Sequence, residues 1–250
     1  MKFGVLNTKV DLTNYDHSTD VILNWACAGE SRMIIAANVH TIMEAYDSTG
    51  FKEKVNNADL VAPDGMPLVW MMRLKGMRDQ QRVYGPALML HVLEAATQDK
   101  VPVGFYGGAP KTLNLLIERL QARYKHLSVA YSFSPPFGTL SREEDTAIVD
   151  EINHSGARIL FIGLGCPKQE IWMAEHRGLV NAVMLGVGAA FDFHAGVKPQ
   201  APAWLQKVGL EWIFRLLSEP RRLWKRYLYH NPRFIVLAIA DVFGLIKKAD

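Results

Sequence analysis

A rhythm that begins near residue 31 constrains the fold of this chain more than any other feature. Short apolar runs alternate with longer stretches of helical period, and most runs stop at a glycine or a polar residue. Ile34-Ile35-Ala36-Ala37 stops at Asn38, and a helical pattern follows through Ile42, Met43, Ala45 and Tyr46. Leu60-Val61 gives way to Pro63-Asp64-Gly65 and an apolar helix over 67–74. A helix over 86–98 precedes the run 101–106, which leads into Gly107-Gly108 and a helix over 110–124. Val129-Ala130-Tyr131 reads as a strand before a turn at Pro135-Pro136-Phe137-Gly138. Ser141-Arg142-Glu143-Glu144 is a capping box, which satisfies two otherwise orphaned N–H groups and so starts a helix. A strand over 158–162, a glycine turn over 163–167, a helix ending at His176 and a strand over 182–187 complete the series.

Strands that alternate with helices imply an α/β fold with a mostly parallel sheet covered on both faces. Strands buried on both faces read as continuous apolar runs, as several do here. Ligands of such folds bind at the carboxyl ends of the strands. The unusual residues fall at those ends: Asn38, Asp64, Gly107, Gly108, the segment 163–169, and Asp192. From Pro199 the rhythm stops and the chain reads as helical, amphipathic and basic. The expected organisation is an α/β body over 1–198 and a helical appendage over 199–250. Charge supports the division. The net charge is only +3, yet residues 201–250 hold 9 Lys+Arg against 4 Asp+Glu, and three of the six tryptophans.

Composition excludes several classes. Hydrophobic residues make up 49% and charged residues 21%, enough to build a core and unlike a disordered chain or a coiled coil. Two distant cysteines, Cys27 and Cys166, form neither a disulfide framework nor a CxxC zinc pair, and they fit a reducing compartment. The first seven residues turn polar too soon for a signal peptide. No run reaches the ~18–20 apolar residues of a spanning helix. The longest candidate, 234–246, contains Asp241 and reads as an interfacial or buried helix.

The candidate residues each carry two readings. Asp64, between a strand and a helix, is placed either to accept a proton from a bound hydroxyl or to cap the helix. The turn 104–110 offers backbone N–H groups to a phosphate, but it is neither GxGxxG nor a P-loop, and a tight turn fits as well. The turn 163–170 is richer, with Pro167 at the helix start and Lys168 and Gln169 in its first turn. Asp192 lies between Phe191 and Phe193. His194 has no evident partner, and Cys166 reads as structural. The chain has no DxD and no set with convincing metal spacing, so a diphosphate leaving group, if the chemistry involves one, would need Arg or Lys in place of a metal to absorb its charge. Arg and Lys interleaved with Trp and Tyr over 211–227 suit a membrane interface. Intramolecular packing and nucleic-acid binding are the alternatives for that stripe, and nucleic acid ranks lowest because no binding motif accompanies it.

Taken in order, these residues resemble the TagA/WecG/CpsF family of bacterial glycosyltransferases. The matching motifs are Asn38, Ala58-Asp59-Leu60-Val61 with Pro63-Asp64-Gly65, Arg82-Val83-Tyr84-Gly85, Phe105-Tyr106-Gly107-Gly108, Gly163-Leu164-Gly165 with Pro167-Lys168-Gln169-Glu170, and Phe191-Asp192-Phe193 with Gly196. They continue through Ala201-Pro202 with Trp204, Gly209-Leu210-Glu211-Trp212, Arg215-Leu216 and Glu219-Pro220. The resemblance implies a Rossmann-like body with a membrane-contacting appendage. It implies metal-independent, inverting transfer of a hexose (glucose, N-acetylmannosamine or its uronic acid) from a UDP-sugar to a polyprenyl-diphosphate-linked sugar, with no cofactor. The implied location is peripheral, on the cytoplasmic face of the membrane. By the same resemblance Asp64 is the general base, and Asn38 and Arg82 are pocket residues. Gln169 and Asp192 contact nucleotide or sugar, and Gly107 and Gly108 of the matched turn are expected among the substrate-binding residues. Arg215 and Arg221 or Arg222 meet the diphosphate. Two positions depart from the family pattern: Ala36 stands where a threonine is usual, and Gln200 stands where an arginine precedes Ala-Pro. Those departures leave open a non-catalytic sugar-nucleotide-binding regulator or scaffold. An NAD-dependent oxidoreductase suits the fold class but lacks GxGxxG. Whether copies form a homo-oligomer is open.

Overall fold

The structure, a computed structural model, describes residues 1–136, 138 and 140–245. Phe137 of the expected turn and Ile246 at the end of the expected helix lie outside the described residues, as does 247–250 of the expected appendage. The chain divides into two compact units. One comprises 1–14, 36–84 and 199–250; the other comprises 15–35 and 85–198.

The first unit opens with a hairpin that the sequence rhythm did not reveal. Strands β1 (Lys2–Val5) and β2 (Thr8–Asp11) pair antiparallel through the two-residue loop Leu6-Asn7. Both loop residues have positive φ, 48° and 62°, the mirror-image turn that matches strand twist. The hairpin is fastened to the sheet by Asp11, whose carboxylate accepts from Val61 N–H at 2.9 Å. That bond occupies a backbone donor on an edge strand, which would otherwise invite foreign pairing.

The sheet itself has six strands: β3 (Arg32–Ala37), β4 (Leu60–Pro63), β5 (Val103–Gly107), β6 (Val129–Phe133), β7 (Ile159–Gly163) and β8 (Val183–Gly186). Their order is β4-β3-β8-β7-β5-β6, and the pairs from β3 to β6 are parallel. The expected α/β class with a mostly parallel sheet is therefore observed. Central strands are wholly apolar and buried, as in Ile159–Ile162 and Met33–Ile35. Helices α1 (Tyr15–Cys27), α2 (Val39–Asp47), α3 (Thr49–Asn56), α4 (Met66–Leu74), α5 (Gly85–Gln98), α6 (Pro110–Arg123), α7 (Arg142–Ser155) and α8 (Lys168–His176) follow the strands. The Ser141–Glu144 capping box starts α7 as read. Pro167 is the N-cap of α8, one position before the first helical residue expected for it.

After the short helices α9 (Ala190–His194) and α10 (Ala203–Lys207), the chain ends in α11 (Glu211–Ser218) and α12 (Pro220–Val242). Helix α12 packs on α2 and α4 of its own unit. Leu223, Tyr227, His230 and Phe234 form its buried stripe, at the three- and four-residue spacing of one helix face. Asp241, the charge within the run 234–246, bonds Lys75 at 3.1 Å and accepts from Leu6 N–H at 3.2 Å. No helix among the described residues is long and apolar enough to cross a membrane.

Candidate active site

In the first unit the strand ends of β3 and β4 lie side by side. Asp64 N–H donates to Ala37 C=O at 2.8 Å. The position a Gly65 Cβ would take lies 3.4 Å from Asn38 Cα, an ordinary van der Waals distance that puts the two strand ends in contact. Asp64 is nearly buried and is not a helix cap: the N-cap of α4 is Gly65. Its carboxylate instead meets Arg82, with Nη2 to Oδ1 at 3.2 Å, while Arg82 Nε donates to the Asp64 carbonyl. The same Nη2 reaches Glu211 Oε2 at 2.7 Å, and Tyr84 Oη donates to Glu211 Oε1 at 3.0 Å. Arg82 also stacks over the Tyr84 ring, 4.2 Å from its centroid. Burial works against the Arg82 charge, but Asp64 and Glu211 more than offset it and push its pKa up. Burial, with Glu211 and Asp64 beside it, raises the Tyr84 pKa, so its hydroxyl stays protonated as a donor. The result is a chain of charge running Asp64–Arg82–Glu211 that links the end of β4 to α11.

Asn38 caps α2. Its Oδ1 accepts from His40 N–H at 3.0 Å and Thr41 N–H at 3.4 Å. One turn further, α12 brings His230 against His40 and Glu44, whose potential ligand atoms all lie within 4.8 Å. Burial lowers the His230 pKa, with Arg226 and Arg233 adding to it and Glu44 and Asp47 opposing.

The second unit holds the glycine turns. Gly107 has φ +115°, and a Cβ there would stand 2.8 Å from the Gly163 carbonyl carbon, so both the conformation and the contact require glycine. Phe191 packs on Gly163, 2.5 Å from where a Cβ would lie, and 3.3 Å from that of Gly108. Gln169 is buried; its Oε1 accepts from Gly165 N–H at 3.1 Å and its Nε2 donates to Glu170 at 3.0 Å. Asp192 pairs with Lys198 at 2.7 Å. His194 Nε2 bonds the Pro86 carbonyl at 2.8 Å, and burial lowers its pKa, as befits a packed neutral imidazole.

Of the tail cations, Arg221 and Arg222 are exposed and Arg215 is half-buried; Arg222 pairs with Glu219 at 2.7 Å.

A family model described as "Glycosyl transferase WecG/TagA/CpsF family" matches residues 3–248. The chain belongs to that family. It is also 33% identical, over 207 residues, to a Bacillus spizizenii protein named N-acetylglucosaminyldiphosphoundecaprenol N-acetyl-beta-D-mannosaminyltransferase. The match spans 82% of this chain and 78% of that protein. This WecG/TagA/CpsF member is thus a glycosyltransferase of cell-envelope polysaccharide synthesis.

Within this family member the structure joins Asp64 and Arg82 directly and sets Asn38 beside them. It places Gly107, Gly108, Gln169 and Asp192 in the other unit. Glu211 was missing from the sequence-derived residues, although Gly209-Leu210-Glu211-Trp212 was among the matched motifs. A carboxylate 129 positions from Arg82 carries no local signal of the pairing. His230 was missed for the same reason, whereas the His40–Glu44 spacing of four was visible on α2.

Proposed function

We propose that this chain transfers an N-acetylmannosamine-type hexose from a UDP-sugar to a sugar on polyprenyl diphosphate, inverting the anomeric centre without a metal in the transfer step. The observation that carries this reading is the Asp64–Arg82–Glu211 chain, which holds a carboxylate at the end of a strand, the position where α/β folds bind ligands. The acceptor hydroxyl attacks the anomeric carbon and gives its proton to Asp64. The bond from that carbon to the UDP oxygen breaks on the opposite face, and UDP leaves with the electron pair. Arg82 fixes the orientation of Asp64. Arg215, Arg221 and Arg222 offer charge to the departing diphosphate, as the absence of DxD from the sequence requires of some cation. The relative named above acts on N-acetylglucosaminyldiphosphoundecaprenol, which favours a lipid-linked acceptor.

In the same reading 199–250 is a membrane-associating segment at the cytoplasmic face. Trp224, Leu228, Ile235 and Ile239 are exposed on α12 while Arg221, Arg222 and Lys225 stand among them. Basic residues gain about 1 kcal/mol each beside an anionic leaflet. The test is turnover of a UDP-sugar panel on a synthetic prenyl-diphosphate-linked N-acetylglucosamine. Asp64→Asn should keep UDP binding and lose most turnover, on the order of a hundredfold or more. Near-normal turnover in that variant rejects the base assignment. Donor binding by the wild type with no product favours the non-catalytic alternative.

A further inference from the structure

Helix α2 presents His40 and Glu44 one turn apart on one face, and α12 lays His230 across them. His40 Nδ1 is 3.6 Å and His230 Nε2 is 3.4 Å from the same Glu44 Oε1. These separations exceed a good N–H···O bond, which spans about 2.7–3.2 Å. Neighbouring donors around one tetrahedral zinc stand about 3.3–3.4 Å apart for bonds of 2.0–2.1 Å. The His230 separation equals that spacing, the His40 separation exceeds it by a few tenths of an ångström, and all three donors lie within 4.8 Å of one another. The imidazoles meet at 59° with centroids 5.0 Å apart, so they are tilted and not stacked face to face. The two histidine side chains are only 11% and 9% exposed, while Glu44 at 33% leaves one side open to water.

The geometry points to a binding site for a divalent cation of the zinc class, held by His40, Glu44 and His230 with water in the fourth position. Two imidazoles and one carboxylate select late first-row metals over magnesium or calcium, which prefer oxygen donors. The helices that carry the donors are already fixed. Asn38 caps α2, and Arg233 of α12 grips Asp47 of α2 through two bonds of 2.8 and 2.6 Å. That grip occupies Asp47, so three donors remain. Glu44 and Asp47 favour a cation here, and Arg226 and Arg233 oppose it. The bound metal clasps the terminal helix to α2, two residues beyond the cap formed by Asn38. It takes no part in the transfer step, so its presence and the assignment of Asp64 stand or fall separately.

The full-length chain, stripped with a chelator and dialysed, is titrated with Zn²⁺ and with Co²⁺. One equivalent of Zn²⁺ should bind, Co²⁺ should give the intense visible absorption of a four-coordinate site, and Zn²⁺ should raise the melting midpoint and slow proteolysis of the terminal helix. His40→Ala, Glu44→Gln and His230→Ala should each weaken binding by more than about tenfold. Glu53→Gln, at an exposed carboxylate on α3 that is not among the clustered donors, should retain binding. If His230→Ala fails to fold, His40→Ala and the wild-type Co²⁺ spectrum still decide the matter. Absence of stoichiometric binding by the wild type, equal binding in the variants, or a weak octahedral Co²⁺ spectrum overturns the site.

Discussion

Glu211→Ala tests how firmly the C-terminal segment is built into its unit. Glu211 and Arg82 are 13% and 16% exposed at the side chain, so their 2.7 Å bond is only lightly screened. A hydrogen bond to a charged group contributes about 1.5–3 kcal/mol. The truncation also costs the Tyr84 hydroxyl its Glu211 acceptor, while Arg82 retains Asp64. The expected loss is about 2–4 kcal/mol, most of it from the ion pair. For a chain of this size the melting midpoint should fall by about 5–10 °C. Denaturant unfolding followed by tryptophan fluorescence reports the loss directly, since Trp212 neighbours Glu211. Arg82→Met and the double variant complete a cycle. A coupling energy of about 1.5–3 kcal/mol is expected for a buried charged pair. A coupling below about 0.5 kcal/mol, the level of an exposed pair, would falsify the claim that this chain of charge holds the segment in place.

Other outcomes follow from the same contacts. Gly163→Ala forces a methyl to within 2.5 Å of the Phe191 ring and should destabilise the second unit by about 1–3 kcal/mol, read by thermal melting; an unchanged midpoint contradicts the packing. Leu228→Glu with Ile235→Glu changes exposed residues, so melting should stay nearly constant while cosedimentation with anionic liposomes is lost; undiminished binding counts against the membrane role of α12. Arg233 bonds Asp47 and holds its pKa below 3.8, so the stability that Asp47 contributes is present above that pH and is lost as pH falls through the lowered value. Asp47→Asn should therefore flatten the acid limb of the stability profile, and an unaltered limb is the contrary result.

The fold class was legible in local patterns of residues. Buried parallel strands need unbroken apolar runs, and helices that cover them need a three-to-four period; both are local patterns. The Ser141 capping box and the placing of Asn38, Asp64 and the glycine turns at strand ends were legible for the same reason. The hairpin over residues 2–11 escaped notice because its strands have four residues each and its turn, Leu6-Asn7, lacks the usual glycine. The partners of the polar side chains came from packing. Asp64 showed no partner until Arg82 was found against its carboxylate, with Glu211 on the far side of the same guanidinium. Asp241 looked like an interruption of an apolar helix until Lys75 met it. His230 carried no signal until α12 was laid on α2. Secondary structure is written in residues a few positions apart, whereas Glu211 and Arg82, Asp241 and Lys75, and His230 and Glu44 lie more than a hundred positions apart, and packing alone brings those together.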